Sequence, residues 1–559
     1  MKLIIKSKKL HRNKTINNDD VHLFSQFFIP NDEHRYNEIK FCLKQNVDNS
    51  QIDHIHLLVE RIYTRQELGI HSNKIIQINI SKRLSFQDVF VYIREKNIQG
   101  YLVLLNSDIF LHDSTIDNLK HSNFHTDKLF GAILRYEYNH SDYSKSQIFG
   151  PRFDSQDVWI LHSNFTIPEF AEKVFSFEFG KPGCDNKLIY LLRILGYEII
   201  NDPLHIKTLH VHSSKQRSYS HKDAISEPWG VVIPHSFEPI NMPNYLGINM
   251  KQFSHWSNNF KTLMMDDNQF LHSYITNKLN QNQNFVIPRI SGIENNVAVF
   301  SRVIDKKLHH DLIPLKQYIK RTIYAMKNNA GIKLLNQYSV DQYSDNYLSA
   351  FDCCDIFAGW EPQGNYIGHI SQSHSYMLNT YSEKHMFWAL TFDIFHYIFS
   401  NPWTQSLAGK RILIISPFIE TIKEQLPIRK HIYHGVDLFP DCTFELLKPP
   451  QTQADEPSEE FFYEFDKFKQ TIDNKLNDFD VALVSCGGYA NPICSHIYLK
   501  GKSAIYVGGV LQMYFGILGN RWIKERPDIV NIFHNDYWKR PKMNERPKNC
   551  ENVEGACYW

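Results

Sequence analysis

From Val21 onward the chain alternates short apolar runs with amphipathic stretches, and this alternation restricts the fold more than any other feature. The runs VHLFSQFFIP, IDHIHLLVE, KIIQINI and GYLVLLNS read as strands, while residues 34–45 and 85–96 read as helices. The second helix opens with Ser85 three residues ahead of Asp88, the spacing of a capping box. Strands alternating with helices imply a mostly parallel sheet covered on both faces. Further strands are expected at LFGAILRYEY, DVWILH and IKTLHVH, with a helix over residues 184–195 leading into EIINDP. The most apolar run, residues 101–111, is broken by Asp108 and reads as one buried strand.

A chain of 559 residues is too long for one ordinary core. Residues 213–284 are rich in Asn, His, Ser and aromatics and read as a connector, after which a second α/β pattern begins. There FVIPRISGIENN reads as strand and turn, residues 312–328 and 383–400 as helices, and KRILIISPF as a strand. The stretch ADEPSEEFFYEFDKFKQTIDNKL reads as a loop feeding an amphipathic helix. DVALVSCGGYANP and SAIYVGGVLQ repeat a strand, glycine turn and helix. The expected fold class is therefore α/β with two α/β domains, residues 1–235 and 285–559, joined by 236–284.

Charge and cysteine usage exclude several functional classes. The net charge is +1, from 61 Lys+Arg against 60 Asp+Glu, so no basic field favours nucleic acid. The opening MKLIIKSKKLHRNK has too short an apolar run for a signal-peptide core. No window reaches the roughly 18 apolar residues of a membrane span. Nine cysteines, an odd number without a CxxC pair, argue for a reducing compartment and against both a disulfide frame and a structural zinc site. A cytoplasmic location is expected (host cytoplasm if the source is viral).

Asn106-Ser107-Asp108 ends the most apolar strand. Ligands of parallel α/β sheets bind beyond the carboxyl ends of strands, and an acid there can hold a hard divalent cation. A turn-forming or capping role would explain Asp108 equally well. His210 and His212 share one face of a strand by period-two geometry and could complete an oxygen-rich site, although strand histidines usually belong to a core or surface. Asp185, in Gly183-Cys184-Asp185-Asn186, is either a helix cap or a functional acid.

Over residues 21–215 these elements resemble the GT-A glycosyltransferase superfamily in order and spacing. The resemblance implies a Rossmann-like mixed sheet and a metal-dependent nucleotide-sugar site. Asp108 would match the last acid of the family's D-x-D motif, gripping Mn²⁺ or Mg²⁺ and the donor diphosphate. Asn106 departs from the first position and, with Ser107, would contact ribose or water. His212, with His210 as the alternate, would complete the metal shell. Asp157, Trp159, Asp185 and Asn186 match the acceptor side, with Trp159 stacking on a sugar face or lying in the core. Asp157 or Asp185 would be the base if the reaction inverts configuration. Pro30, Asn31 and Glu60 would line the nucleotide pocket, and Arg83 would approach base or phosphate. Nucleotidyltransferases share this topology, but their glycine-rich basic loop after the first strand is missing from FFIPNDEHRYN.

Residues 285–559 resemble the GT-D glycosyltransferase family and related uncharacterised bacterial proteins through the GxxLQxxFGxxGxRW and terminal GxCYW elements. The turns Gly487-Gly488-Tyr489 and Gly508-Gly509 could approach a ligand closely, or serve tight packing alone. Gln512, Arg521 and Trp522 could face the ligand, or Arg521 could pair with an acid to hold the C-terminal segment. Glu294 matches the acidic end of the D-x-E motif, whereas Gly292 stands where its Asp belongs. The resemblances imply a bifunctional transferase using a UDP-sugar in the N-terminal domain and a glycan or glycoprotein acceptor. The alternative is one active N-terminal domain with a C-terminal module that binds acceptor or partner. A homo-oligomer is left open.

Overall fold

Val21–Ser25 (β1) is buried along its whole length because parallel neighbours flank it on both sides. These are His54–Val59 (β2) and Tyr101–Leu105 (β4), and β2 pairs in turn with Ile75–Asn79 (β3). Leu129–Ile133 (β6), Val158–His162 (β9) and Glu198–Ile200 (β10) complete a seven-stranded sheet of order β10-β6-β9-β4-β1-β2-β3. Strand β9 is antiparallel to both of its neighbours and every other pairing is parallel, so the sheet is mixed and Rossmann-like. The computed structural model describes residues 19–150, 152–213, 219–234, 262–307, 312–360 and 368–559. The chain divides into two units, Met1–Phe260 and Lys261–Trp559, both of them α/β.

The run expected as one strand is two strands in two sheets. A turn at Asn106, closed by Ile109 N–H donating to the Asn106 carbonyl at 3.2 Å, ends β4. Ile109–Leu111 (β5) then leaves the large sheet and pairs antiparallel with Thr208–His210 (β11). Tyr136–Glu137 (β7) and Gln147–Ile148 (β8) extend this small sheet in the order β5-β11-β7-β8. Hydrophobicity is continuous across the break because both pieces are buried, which is why the sequence pattern does not separate them.

The helices of this unit cover the large sheet as the sequence pattern implies. Glu33–Asp48 is capped by the Asp32 carboxylate, and Phe86–Lys96 carries the Ser85/Asp88 capping box. Trp159 is fully buried beneath the second helix, with ring centroids 4.9 Å from Phe86 and 5.4 Å from Phe179. It is a core residue and offers no face to a sugar.

In the second unit Val286–Ile287 (β12), Arg411–Ile415 (β15), Thr443–Leu447 (β16), Val481–Val484 (β17) and Ser503–Tyr506 (β18) form a parallel sheet. Its order is β12-β18-β17-β15-β16. Ile356–Gly359 (β13) and His385–Trp388 (β14) make a separate parallel pair. The last of these corrects the helix expected over 383–400: His-Met-Phe-Trp pairs as a strand, followed by 3₁₀ turns at Ala389–Phe392 and Ile394–His396. The region read as a connector contains a helix, Thr262–Asn280, belonging to the second unit, while residues 235–261 lie outside the described part. All nine cysteines are free. Among the described residues no helix is long and apolar enough to cross a membrane.

Because Trp159 fills the space between Phe86 and Phe179, Trp159→Ala should cost about 3–5 kcal/mol through the cavity it leaves. Urea denaturation of the full chain measures this, as a lower midpoint at an unchanged slope.

Candidate active site

The break after β4 delivers Asp108 to the point where the two sheets diverge. Val211 N–H donates to the Asp108 carbonyl at 2.9 Å, so the end of β11 is tied to this residue. The two-residue period of the strand then brings His210 and His212 to the same place, their rings stacked with centroids 5.4 Å apart. His210 Nε2 lies 3.2 Å and His212 Nδ1 3.9 Å from Asp108 Oδ2. One ligand atom from each of the three residues lies within 4.8 Å of the others. The expected triad is therefore assembled by the fold.

A cation already faces it. Arg35, in the first turn of Glu33–Asp48, donates through Nη2 to Asp108 Oδ2 at 2.5 Å. Its Nη1 lies 2.6 Å from His212 Nδ1 and donates to Glu38 Oε2 at 2.9 Å. Glu38 in turn accepts from the backbone and hydroxyl of Ser213. Burial works against a charge on Asp108, but His210 and Arg35 outweigh it and hold the carboxyl far below its usual range. Burial likewise opposes a charge on His210. Asp108, with Glu137 at 2.9 Å from Nδ1, prevails and raises the imidazole to about 9. Burial and the Arg35 charge lower His212.

The network continues across the sheet edge. Arg135 donates to Glu137 at 2.9 Å and also pairs closely with Asp157. Asp157 Oδ1 accepts from Asn106 Nδ2 at 2.8 Å. This meeting follows from the antiparallel β9: its register pairs Val158 with Leu105, so the residue before β9 sits beside the residue after β4. Asp185 stands next in line. Gly183, in the left-handed region at φ 77°, starts the helix Cys184–Ile194 and sets Asp185 in its first turn. There the carboxylate accepts from Gln156 N at 2.9 Å and Asn186 N at 3.0 Å. Burial pushes Asp185 up to about 7, helped by the Asp157 carboxylate and opposed by these two backbone donors.

Other expected positions are joined less closely. Ser107 lies in the turn itself. Arg83 donates to the Phe179 carbonyl at 3.4 Å and faces Glu178 at 3.6 Å. Both Arg83 and Asn106 flank Gly180, whose added Cβ would lie 3.8 and 3.9 Å from their side chains. Pro30 and Asn31 follow β1 and Glu60 follows β2; Glu60 accepts from Gln26 at 3.4 Å, and topology alone links these three to the site. Asn186 is buried and donates to the Gly230 carbonyl. The sequence reading missed Arg35, Glu38, Arg135 and Glu137. The signal for the last two was RYE, whose alternation after β6 puts both charges on one side.

In the second unit the space beside each glycine of the two turns is occupied by the chain itself, which accounts for these glycines by close packing. A Cβ on Gly487 would meet the Ala330 carbonyl at 2.9 Å, and one on Gly488 would meet Ile332 at 2.3 Å. Tyr489 is fully buried against Phe461. A Cβ on Gly508 would strike Arg289, and one on Gly509 would strike the Tyr558 ring. Gln512 is buried and donates to the Ile517 and Tyr558 carbonyls. Arg521 donates to Tyr558 Oη at 2.8 Å and pairs with Glu554, anchoring the C-terminal segment, and Trp522 is buried. Glu294 sits in the first turn of the helix Gly292–Lys307, its carboxyl raised by burial, with Ser291 and Arg289 lowering it in part.

No family model matches the chain, and a search of curated proteins gives no match. Among solved structures it is similar to the mannosyltransferase PcManGT from Pyrobaculum calidifontis, in complex with GDP-Man and Mn²⁺. That match has 11% identity and a TM-score of 0.25, covering 36% of this chain and 58% of that one. A 4-diphosphocytidyl-2C-methyl-D-erythritol synthase matches at 7% identity and a TM-score of 0.22, covering 37% of this chain and 96% of its own. The corresponding synthase from Anaerococcus prevotii DSM 20548 matches at 10% identity and a TM-score of 0.22, covering 37% and 95%.

One carboxylate and two imidazoles can hold a divalent cation, the carboxylate suiting Mn²⁺ or Mg²⁺ and the imidazoles also admitting zinc. Binding requires Arg35 to withdraw from Asp108 and His210 to release its proton. Arg35→Met should cost about 3–5 kcal/mol, because it leaves two buried carboxylates without their guanidinium. Saturating Mn²⁺ should return part of that loss in a urea titration, since an ion that binds only the folded state stabilises it. For Asp185, a folded-state value above the ordinary 3.8 means stability is lost as pH rises from about 4 through about 7. Asp185→Asn should flatten that fall in urea midpoints measured across the same range.

Proposed function

We propose that the N-terminal unit is a metal-dependent glycosyltransferase that takes a nucleotide-sugar donor, with a UDP-sugar as the first candidate. The observation that carries this reading is the unbroken line of polar groups along one sheet edge. It runs from Asn106 and Asp157 through Arg135 and Glu137 to His210, Asp108 and Arg35. Such an edge, beyond the carboxyl ends of parallel strands, is where this class of sheet binds ligands.

Asp108, His210 and His212 would hold the cation, which when bound neutralises charge on a departing nucleoside diphosphate. With a cation on Asp108, Arg35 would be freed from that carboxylate and its guanidinium could pair with anionic oxygens of the donor. Asn106 is held by Asp157 with its amide toward the same edge. Asp185, poised near neutrality, is the candidate to accept the proton of an acceptor hydroxyl. Arg135 pairs with the adjacent Asp157 and fixes it beside Asn106. A glycan or glycoprotein is the acceptor class proposed.

A second transfer step in the C-terminal unit rests on Glu294 alone. It lies after β12 on the parallel sheet, beside Arg289 and with Ser291 within reach of the Tyr347 hydroxyl at 3.3 Å. The filled glycine turns weigh toward the other reading, in which this unit binds acceptor or partner.

The test is a thermal-shift panel of UDP- and GDP-sugars, with and without Mn²⁺, on the full chain. A donor at about 100 times its Kd should add about 2.7 kcal/mol of stability. We expect one donor to act with Mn²⁺ only, and Asp108→Asn to abolish its effect. Asp185→Asn should keep the donor shift while transfer falls about 10²–10⁴-fold. A donor effect that survives Asp108→Asn would refute the assignment. Nucleotide triphosphate binding in place of any sugar donor would favour nucleotidyl transfer.

A further inference from the structure

At the opposite end of the parallel strands, the N-terminal ends of β1 and β2 carry a second group of metal-ligating side chains. Register places His22 opposite His54, and their rings stack with centroids 4.8 Å apart. Asp20 precedes β1 by one residue and thus lies on the same side as His22. Its backbone carbonyl is fixed by Tyr101 N–H at 2.8 Å. One ligand atom each from Asp20, His22 and His54 lies within 4.8 Å of the others. The neighbouring Asp53 is already used, accepting from Val21 N at 2.8 Å.

A line of side chains behind His22 orients its ring. His22 Nδ1 lies 3.0 Å from His56 Nε2, and His56 Nδ1 lies 3.3 Å from the Tyr92 hydroxyl. Two tautomer pairs satisfy this line: Tyr92 donates to His56, His56 to His22 and His22 to the Gln99 carbonyl, or each ring carries its proton on Nδ1, with His22 donating to His56 and His56 to Tyr92, and a cation at His22 Nε2 selects the second. His22 then turns the lone pair of Nε2 outward, the arrangement by which outer residues fix a metal-binding imidazole. The Gln99 carbonyl also faces the His22 ring, and metal binding exchanges that contact for a bond to the ion.

We propose that Asp20, His22 and His54 form a second divalent-cation site, separate from Asp108, for an imidazole-seeking ion such as zinc. Ligands about 2.0–2.2 Å from a tetrahedral ion stand roughly 3.3–3.6 Å apart, so the triad closes with about an ångström of side-chain rotation. Two imidazoles and one carboxylate leave the fourth position to water. With its ligands on β1 and β2, the ion ties the two strands together at the end away from the candidate active site.

Cobalt and zinc test this on the full chain. Co²⁺ should give the intense visible bands of a four-coordinate site, and Zn²⁺ should displace it. Asp20→Asn and His54→Gln change partly exposed side chains, and each should remove one equivalent of bound zinc and those bands. Asp108→Asn should keep both. His56→Phe should weaken zinc binding about 10–100-fold without removing the site. Circular dichroism reports folding, and if one variant unfolds the other decides. Unchanged zinc stoichiometry in the folded variants, an absence of cobalt bands in the unaltered protein, or their loss on Asp108→Asn alone would overturn the proposal.

Discussion

The N-terminal unit depends on a single interruption of its most apolar segment. Burying a carboxylate at residue 108 is costly unless cations and donors compensate it, and the surrounding architecture is arranged around that need. The turn at Asn106 ends β4, the small sheet returns as β11 with two histidines, and the first helix brings Arg35. Each arrival offsets part of the same desolvation. The cluster is thus an electrostatic keystone of the unit and also the metal site proposed above.

Charge balance explains why the acids of this edge differ in character. Asp108 and Asp157 each face a guanidinium in close contact, whereas Asp185 is held by backbone amides beside the Asp157 carboxylate. Asp108 is therefore held ionised, whereas Asp185 sits near neutrality. That division is the usual physical basis for assigning separate roles to neighbouring acids.

Strand periodicity carried much of this into the sequence. Asp108 stands out as a charge inside an apolar run, and His210 and His212 share a face by alternation alone. Arg35 and Glu38 could not be picked out, because a charged first turn of a helix looks the same whether it meets solvent or a buried acid. The separation of β4 from β5 was hidden because both are buried, so hydrophobicity does not mark which sheet a residue joins. Gly487 and Gly508 show a different limit. A small residue signals that something comes close, but Ala330 and Arg289 are what come close here, and only the fold reveals that. Trp159 is similar: aromatic bulk in a strand says nothing about which side of the sheet is sealed.

The antiparallel strand β9 has one more consequence. Asn106 and Asp157 are anchored to the large sheet, while His210 and Glu137 belong to the small one, and Asp108 is the joint between them. A tilt of the small sheet would swing the two histidines about Asp108 while Asn106 and Asp157 stayed in place. The spacing between the two halves of the polar line is therefore set by a dihedral angle between sheets. Phe110 on the small sheet packs against Phe41 and Tyr138, and these contacts would resist such a tilt.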